Sequence, residues 1–270
     1  MSGYVNFSNA SAANLNLNNN YEALGFGASG GGTTITAGST ENSEGSYVSL
    51  GVNTANWAGF ALWLGPASTS SVRFLVTVSI GGVTVLANNL FALPSTNAGW
   101  LSVHLPLNVP SGSDIQVKVR SSGGLATLLA AIVGVVRNAQ SPPCFTSLVA
   151  LNADTTNTLA SPTNTPTSNT WTAAIASSAA AYDALMVIAS GTGNTSAAPQ
   201  NATIRLATGA ASSEVEFFRL PFQASTTAPT TRAVHALIQK SFASGVRFSA
   251  AILAATTTDN GRVGLYGLTT

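Results

Sequence analysis

Apolar and polar side chains alternate with a period of two along most of this chain. In SVRFLVTVSI, Val72, Phe74, Val76, Val78 and Ile80 share one face. In DIQVKVRS, Ile115, Val117 and Val119 point one way while Gln116, Lys118 and Arg120 point the other. NATIRLATG sets Ile204 and Leu206 against Arg205, and SEVEFF sets Val215 and Phe217 against Glu214 and Glu216. Successive side chains of an extended chain leave on opposite faces, so this pattern predicts half-buried antiparallel strands. Gly81-Gly82, between two alternating runs, predicts a hairpin. The longest apolar run, LATLLAAIVGVV from Leu125 to Val136, is too short to span a bilayer as a helix and predicts a buried strand.

The pattern occurs twice. Tyr47 matches Trp171, Trp57 matches Tyr182, Phe91 matches Phe218, His104 matches His235, Gly112 matches Gly245 and Gly134 matches Gly267. The offset between partners never falls along the chain, which is how one unit behaves when doubled with a few residues gained in the loops of the second copy. The Ala-rich stretch TAAIASSAAAYDALMVIAS favours helix by propensity. Its partner, VSLGVNTANWAGFALWL, is strand-like, and the duplication therefore predicts strands there too. Ser-Gly before each late strand, at Gly112 and Gly245, predicts a turn with positive φ.

The expected fold is all-β: two tandem, duplicated antiparallel β-sandwich domains, jelly-roll-like, preceded by a loop-rich N-terminal arm. Residues 1–45, rich in Asn, Ser, Gly and Thr, form the arm or lead-in; 46–138 the first sandwich; 139–145 a linker holding Pro142 and Pro143; and 146–270 the second sandwich.

Composition narrows the function classes. Only 7% of residues are charged and the net charge is +1, against about 25% charged in ordinary globular proteins. With Arg73, Lys118, Arg205 and Arg247 scattered, there is no basic cluster of the kind that neutralises phosphates, and nucleic-acid binding is not expected. The N-terminus lacks a basic start followed by an apolar core, so neither a signal peptide nor membrane insertion is expected. Cys144 is the single cysteine, which excludes an intrachain disulfide and a cysteine-based metal site.

Motifs that suggest chemistry lack their context. GFGASG (Gly25, Gly27, Gly30) and GASGG (Gly27, Ser29, Gly31) match dinucleotide and nucleophile-elbow patterns, but GGTTITAG follows where a helix is required. Ser102 and Asp114 lie near His104 in sequence, whereas the places matched to them beside His235 hold Ala233 and Arg247, so no shared Ser-His-Asp set exists. Two histidines in different units could share a metal only if the units closed on each other. Glu214 and Glu216 could be a glycosidase pair but read as a solvated strand edge. No catalytic, cofactor or metal residue is assigned. Trp57 and Trp171 are matched by aromatics and predict core packing. Trp63 and Trp100 have no aromatic partner in the other copy and, with the outward His104 and with His235, are the candidate interaction surface.

NVPSGSDIQVKVRSS, with ASGVRFSAAILAA as its degenerate second copy, resembles the β-sandwich modules of structural proteins in tailed bacteriophages, over about residues 40–270. That resemblance implies a non-enzymatic virion component, such as a spike, fibre, collar, tail or capsid-decoration protein, made in the host cytoplasm. It implies other virion proteins as partners and a homo-oligomer, with a trimer favoured. A carbohydrate-binding module that recognises a host-surface glycan is the alternative, and a glycan-degrading enzyme a weaker one. No cofactor is expected.

Overall fold

A computed structural model describes residues 20–27, 31–67, 73–92, 100–138, 145–151, 170–193, 200–224, 234–254 and 260–270. Among these residues every regular element is a strand. The first sandwich contains β1 (Tyr21–Leu24), β2 (Thr33–Thr36), β3 (Val48–Val52), β4 (Trp57–Ala67), β5 (Arg73–Ile80), β6 (Val83–Ala92), β7 (Leu101–Leu105), β8 (Asp114–Ser121) and β9 (Thr127–Val136). Its sheets run β1-β9-β4-β7, with β2 also on β9, and β3-β8-β5-β6.

The second sandwich contains β10 (Ser147–Ala150), β11 (Thr172–Ile175), β12 (Ala184–Gly193), β13 (Gln200–Thr208), β14 (Val215–Ala224), β15 (Val234–Ile238), β16 (Phe248–Ala254) and β17 (Asn260–Thr269). Its sheets run β10-β17-β12-β15 and β11-β16-β13-β14. Strand for strand this is the order of the first sandwich. With first paired to eighth, and third between eighth and sixth, it is a jelly roll made twice. The duplication thus overrides helix propensity in the Ala-rich stretch, which forms β11 and the start of β12.

In β8 the period-two faces fall where alternation places them, but β5 is buried on both faces from Phe74 to Ile80, and SEVEFF breaks the pattern, with Val215 exposed and the Glu214 side chain covered in its pair with Arg247. Phe74, Val76 and Val78 of β5 and Ile115, Val117 and Val119 of β8 are buried against Leu62, Leu64, Leu128 and Ile132 of the opposite sheet. Val72 lies outside the described residues. Ile80 pairs with Val83 across Gly81 (φ 56°) and Gly82 (φ 84°), both in the left-handed region that a two-residue hairpin of matching twist requires.

Part of the expected arm is sheet. Tyr21–Leu24 and Thr33–Thr36 both pair antiparallel with β9, so this stretch closes the first sandwich instead of standing apart from it. Residues 1–19 and most of the linker, including Cys144, lie outside the described residues. Where the chain re-emerges, the Phe145 carbonyl accepts from the Asn108 N–H at 2.8 Å, tying the second sandwich to the loop after β7.

The sandwiches share a core. The inward side chains of the second, including Leu185, Val187, Ile204 and Leu265, make their own cluster. The other face of the β10-β17-β12-β15 sheet supplies Leu148, Ala184, Met186, Ile188, Tyr266 and Leu268 to the core of the first. There β6 lies against β10 and β12, and β7 against β15. One sheet face of the second sandwich therefore covers the flank of the first, where strands β6 and β7 would otherwise expose their edges to water.

Candidate interaction surface

Two of the matches in sequence turn out to be contacts, whereas Tyr47 is exposed under Lys118 and Trp171, expected in the core, is half-exposed under Arg205. Gly134 lies against the ring of Trp57, and Gly267 against the ring of Tyr182; a Cβ on either glycine would overlap the aromatic ring. Trp57, at the start of β4, bridges to Val109, and Tyr182, two residues before β12, bridges to Phe242.

A second pair lies beside them. Asn53 donates through Nδ2 to the carbonyls of Ala55 (2.8 Å) and Pro110 (2.9 Å), and its Oδ1 accepts from the Ser113 N–H (2.7 Å). Ser178 holds the same place: its Oγ donates to Ala243 O (3.2 Å) and accepts from Val246 N (3.1 Å). Both carbonyls also receive the turn glycine, Gly112 N to Asn53 O at 2.8 Å and Gly245 N to Ser178 O at 2.9 Å. These turns hold φ at 81° and 79° as the Ser-Gly motif predicts. Sequence comparison missed Asn53 and Ser178 because the two types differ.

Glu22 was also missed. It is buried, and its carboxylate accepts from Trp57 Nε1 (2.8 Å), Thr54 N (2.8 Å) and Thr54 Oγ1 (2.9 Å), locking β1 onto the start of β4. The signal was a lone acid in an Asn-rich tract followed by strand residues, YEAL.

The two histidines do meet, but not as equivalents. Phe60 pairs with Gly134 and Leu185 with Gly267, which aligns β4 with β12. On that alignment Ala61 faces His104, and its counterpart Met186 faces Leu237. His235 faces Ile188, the counterpart of Trp63, which faces Ser102. His104 therefore corresponds to Leu237, and His235 to Ser102. The rings approach across the junction with centroids 5.6 Å apart, and the edge N–H of His104 points at His235 Nε2 at 3.4 Å. Burial pushes the His235 imidazole below its ordinary range, and the neighbouring His104 adds to this. A nitrogen that accepts from a backbone N–H is held unprotonated, so the pair seals an edge strand. Among the described residues no group of three or more His, Cys, Asp or Glu side chains is placed to hold a metal ion.

Trp63, Trp100 and His104 share one surface, the outer face of the β1-β9-β4-β7 sheet. Trp63 is half-buried between Ser102 and Ala131 on the neighbouring strands. Trp100 packs against Phe26, ring centroids 6.3 Å apart, and over Gly32 and Gly65, which leave no room for a side chain. Further along the same face Tyr21 and Val135 form an exposed cross-strand pair.

The carboxylates are committed to arginine. Glu216 accepts from Arg205 Nε at 2.6 Å and also pairs with Arg219, while Glu214 pairs with Arg247 at 2.8 Å. The Arg219 bond holds Glu216 below the ordinary carboxylate range, with Arg205 assisting, and the Arg247 bond does the same for Glu214. A carboxylate held charged cannot donate the proton a glycosidase acid must supply.

No protein-family model and no curated protein matches the chain. Among solved structures it is similar to the N-terminal CBM22-1-CBM22-2 tandem domain of Paenibacillus barcinonensis Xyn10C, at 15% identity and TM-score 0.28, covering 92% of this chain and 90% of that one. It is also similar to a viral major capsid protein, the STIV MCP, at 10% identity and TM-score 0.33, covering 88% and 96%. A third, PNGF-II, has 10% identity and TM-score 0.40, covering 98% of this chain and 63% of that one.

Proposed function

We propose that this chain is a non-enzymatic structural protein of a virus particle, of the bacteriophage type its sequence resembles, assembling with copies of itself and with other virion proteins. One observation carries the reading. The outer face of the β1-β9-β4-β7 sheet is apolar over Tyr21, Ala61, Trp63, Val133 and Val135, and among the described residues it leaves Tyr21 and Val135 exposed and Trp63 and Val133 half-exposed. An apolar sheet face with few charges beside it suits an assembly surface. The polar groups that suggested chemistry are spent on structure: arginine pairs, an edge seal and turn clamps. A closed oligomer, a trimer carrying six sandwiches, is the expected product. Gold-labelled antibody against the chain is expected to decorate purified particles. Particles that lack both label and the chain by mass spectrometry would overturn the proposal.

Carbohydrate binding has Trp63 and Trp100 in its favour, since both are only half-buried on that face. A glycan array that retains a sugar, and loses it with Trp63→Ala in a folded protein, would establish that role instead.

A further inference from the structure

The junction inside the chain joins unlike surfaces. On one side is the outer face of the β10-β17-β12-β15 sheet; on the other is the flank of the first sandwich formed by β6 and β7. A contact of this kind is heterologous, and among the described residues it leaves one of each surface unused: the face of the first sandwich and the flank of the second.

The unused surfaces are the structural counterparts of the used ones. With Gly134 set against Gly267, the covered residues Leu148, Ala184, Met186, Ile188, Tyr266 and Leu268 correspond to Tyr21, Gly59, Ala61, Trp63, Val133 and Val135. Neither set contains a charge. Leu148 and Leu268 are 6% and 0% exposed, whereas their counterparts Tyr21 and Val135 are 45% and 41% exposed. The flanks differ in the same sense. Leu101 and Val103 on β7 are buried, while Val234 and Ala236, in the same places on β15, are half-exposed. By strand register Phe218 on β14 corresponds to Leu86, and the Phe91 matched to it in sequence corresponds to Phe222; Leu86 is buried while Phe218 is half-exposed.

The strand patterns agree. Strands covered on both faces read as continuous apolar runs. The run ALMVIA at the start of β12 is buried at every position, under its own core on one side and the first sandwich on the other. β9 reads the same way, LLAAIVGVV, yet Leu129, Val133 and Val135 on its outer side are left part-exposed.

We propose that the outer face of the β1-β9-β4-β7 sheet binds the β14–β15 flank of a second copy of this chain, repeating between chains the contact that joins the two sandwiches within one. This rests on the assembly reading above and names its surface. The correspondence reaches single residues. Within the chain His104 on the flank meets His235 on the face. Between chains Leu237, the counterpart of His104, meets Ser102, the counterpart of His235. Each added chain presents the same free face and flank, so the contact propagates until a ring closes.

Val135→Arg charges the face and Leu237→Arg the flank, both at exposed positions that leave each sandwich's core intact. Mass photometry and light scattering on the whole chain are expected to show wild-type oligomers and two monomeric variants. An equimolar mixture of the two variants is expected to form one-to-one pairs of twice the mass of a single chain, since each supplies the surface the other lacks. Circular dichroism matching the wild type establishes that both variants fold. Wild-type oligomers that survive either substitution, or a mixture that stays monomeric, would overturn this surface while leaving the assembly role standing. A wild-type monomer up to millimolar concentration would overturn the self-contact, and the particle-labelling experiment then decides the virion role on its own.

Discussion

Asn53→Ala is the substitution whose cost the structure fixes best, because the chain contains its own control. Asn53 makes three side-chain hydrogen bonds, to Ala55 O, Pro110 O and from Ser113 N, all between 2.7 and 2.9 Å. Its counterpart Ser178 makes two, at 3.1 and 3.2 Å. A neutral hydrogen bond contributes about 1 kcal/mol net, so Asn53→Ala should cost about 3 kcal/mol and Ser178→Ala about 1–2 kcal/mol. Pro110 is exposed and Ser113 half-exposed, so water reaches the orphaned groups and the larger penalty of a sealed, unpaired donor does not apply. The shared core makes the two sandwiches unfold together, and at about 2–4 °C per kcal/mol the melting temperature should fall by about 6–12 °C for Asn53→Ala. Asn53→Ser, which copies the second sandwich, should recover part of the loss. Asn53→Asp should not, because a carboxylate keeps the bond from Ser113 but turns two donors into an acceptor facing two carbonyls. Differential scanning calorimetry, run on the monomeric Val135→Arg background so that assembly does not contribute, reads all four. If Asn53→Ala shifts the transition by less than about 2 °C, or costs less than Ser178→Ala, the clamp does not hold the turn and the reasoning fails.

Gly134→Ala and Gly267→Ala should each destabilise by about 3 kcal/mol, since the new methyl overlaps a buried ring that has no space to retreat; urea midpoints check this, and wild-type stability in both would show that the rings move. Glu216→Gln should destabilise at neutral pH. The folded carboxylate titrates below its ordinary value of 4.5, so the stability it contributes is complete above that value and lost as the pH falls through the lower folded value. Unfolding curves of wild type and variant should therefore converge in acid, and a gap that stays constant with pH would sink the pairing. His235 runs in the same sense. Its folded pKa lies below 6.5, so the neutral ring stabilises the junction above that pH and protonation withdraws the contribution below it. His235→Gln keeps an acceptor for the His104 N–H and should flatten the pH dependence of thermal stability below 6.5, which a titration of melting temperature measures directly.

Fold class was legible because alternation and duplication are properties of the chain itself. DIQVKVRS needs one wet face and one dry one, and it has them in β8. Gly81-Gly82 needs two positive φ angles, and it has them. The doubled aromatic–glycine matches were legible because a ring lying on a glycine leaves both residue types little freedom. Glu22 and the Asn53/Ser178 clamp were not legible, because hydrogen-bond partners far apart in sequence leave no period and a serine can stand in for an asparagine. The ion pairs of Glu214 and Glu216 were half legible: Arg219 lies three residues along the same strand, but Arg205 reaches Glu216 from β13 and Arg247 reaches Glu214 from just before β16.

The histidines show which errors a strand sequence conceals. A slip of one residue turns every side chain to the opposite face and would have betrayed itself as buried polar groups. A slip of two leaves the in–out pattern unchanged, so VHLPL and VHALI align on Val-His with no visible penalty. Only pairing with the next strand separates them, His104 opposite Ala61 and His235 opposite Ile188. The same limit applies to the outer faces. Val135 and Leu268 are both aliphatic in sequence, and one is exposed while the other is buried under the first sandwich. What distinguishes the two copies is which surfaces are covered, and that difference exists only after folding. Among the described residues, the first copy exposes at Tyr21 and Val135 the positions that the second copy, alike strand for strand, has covered at Leu148 and Leu268. The proposed contact would cover them with the β14–β15 flank of another copy.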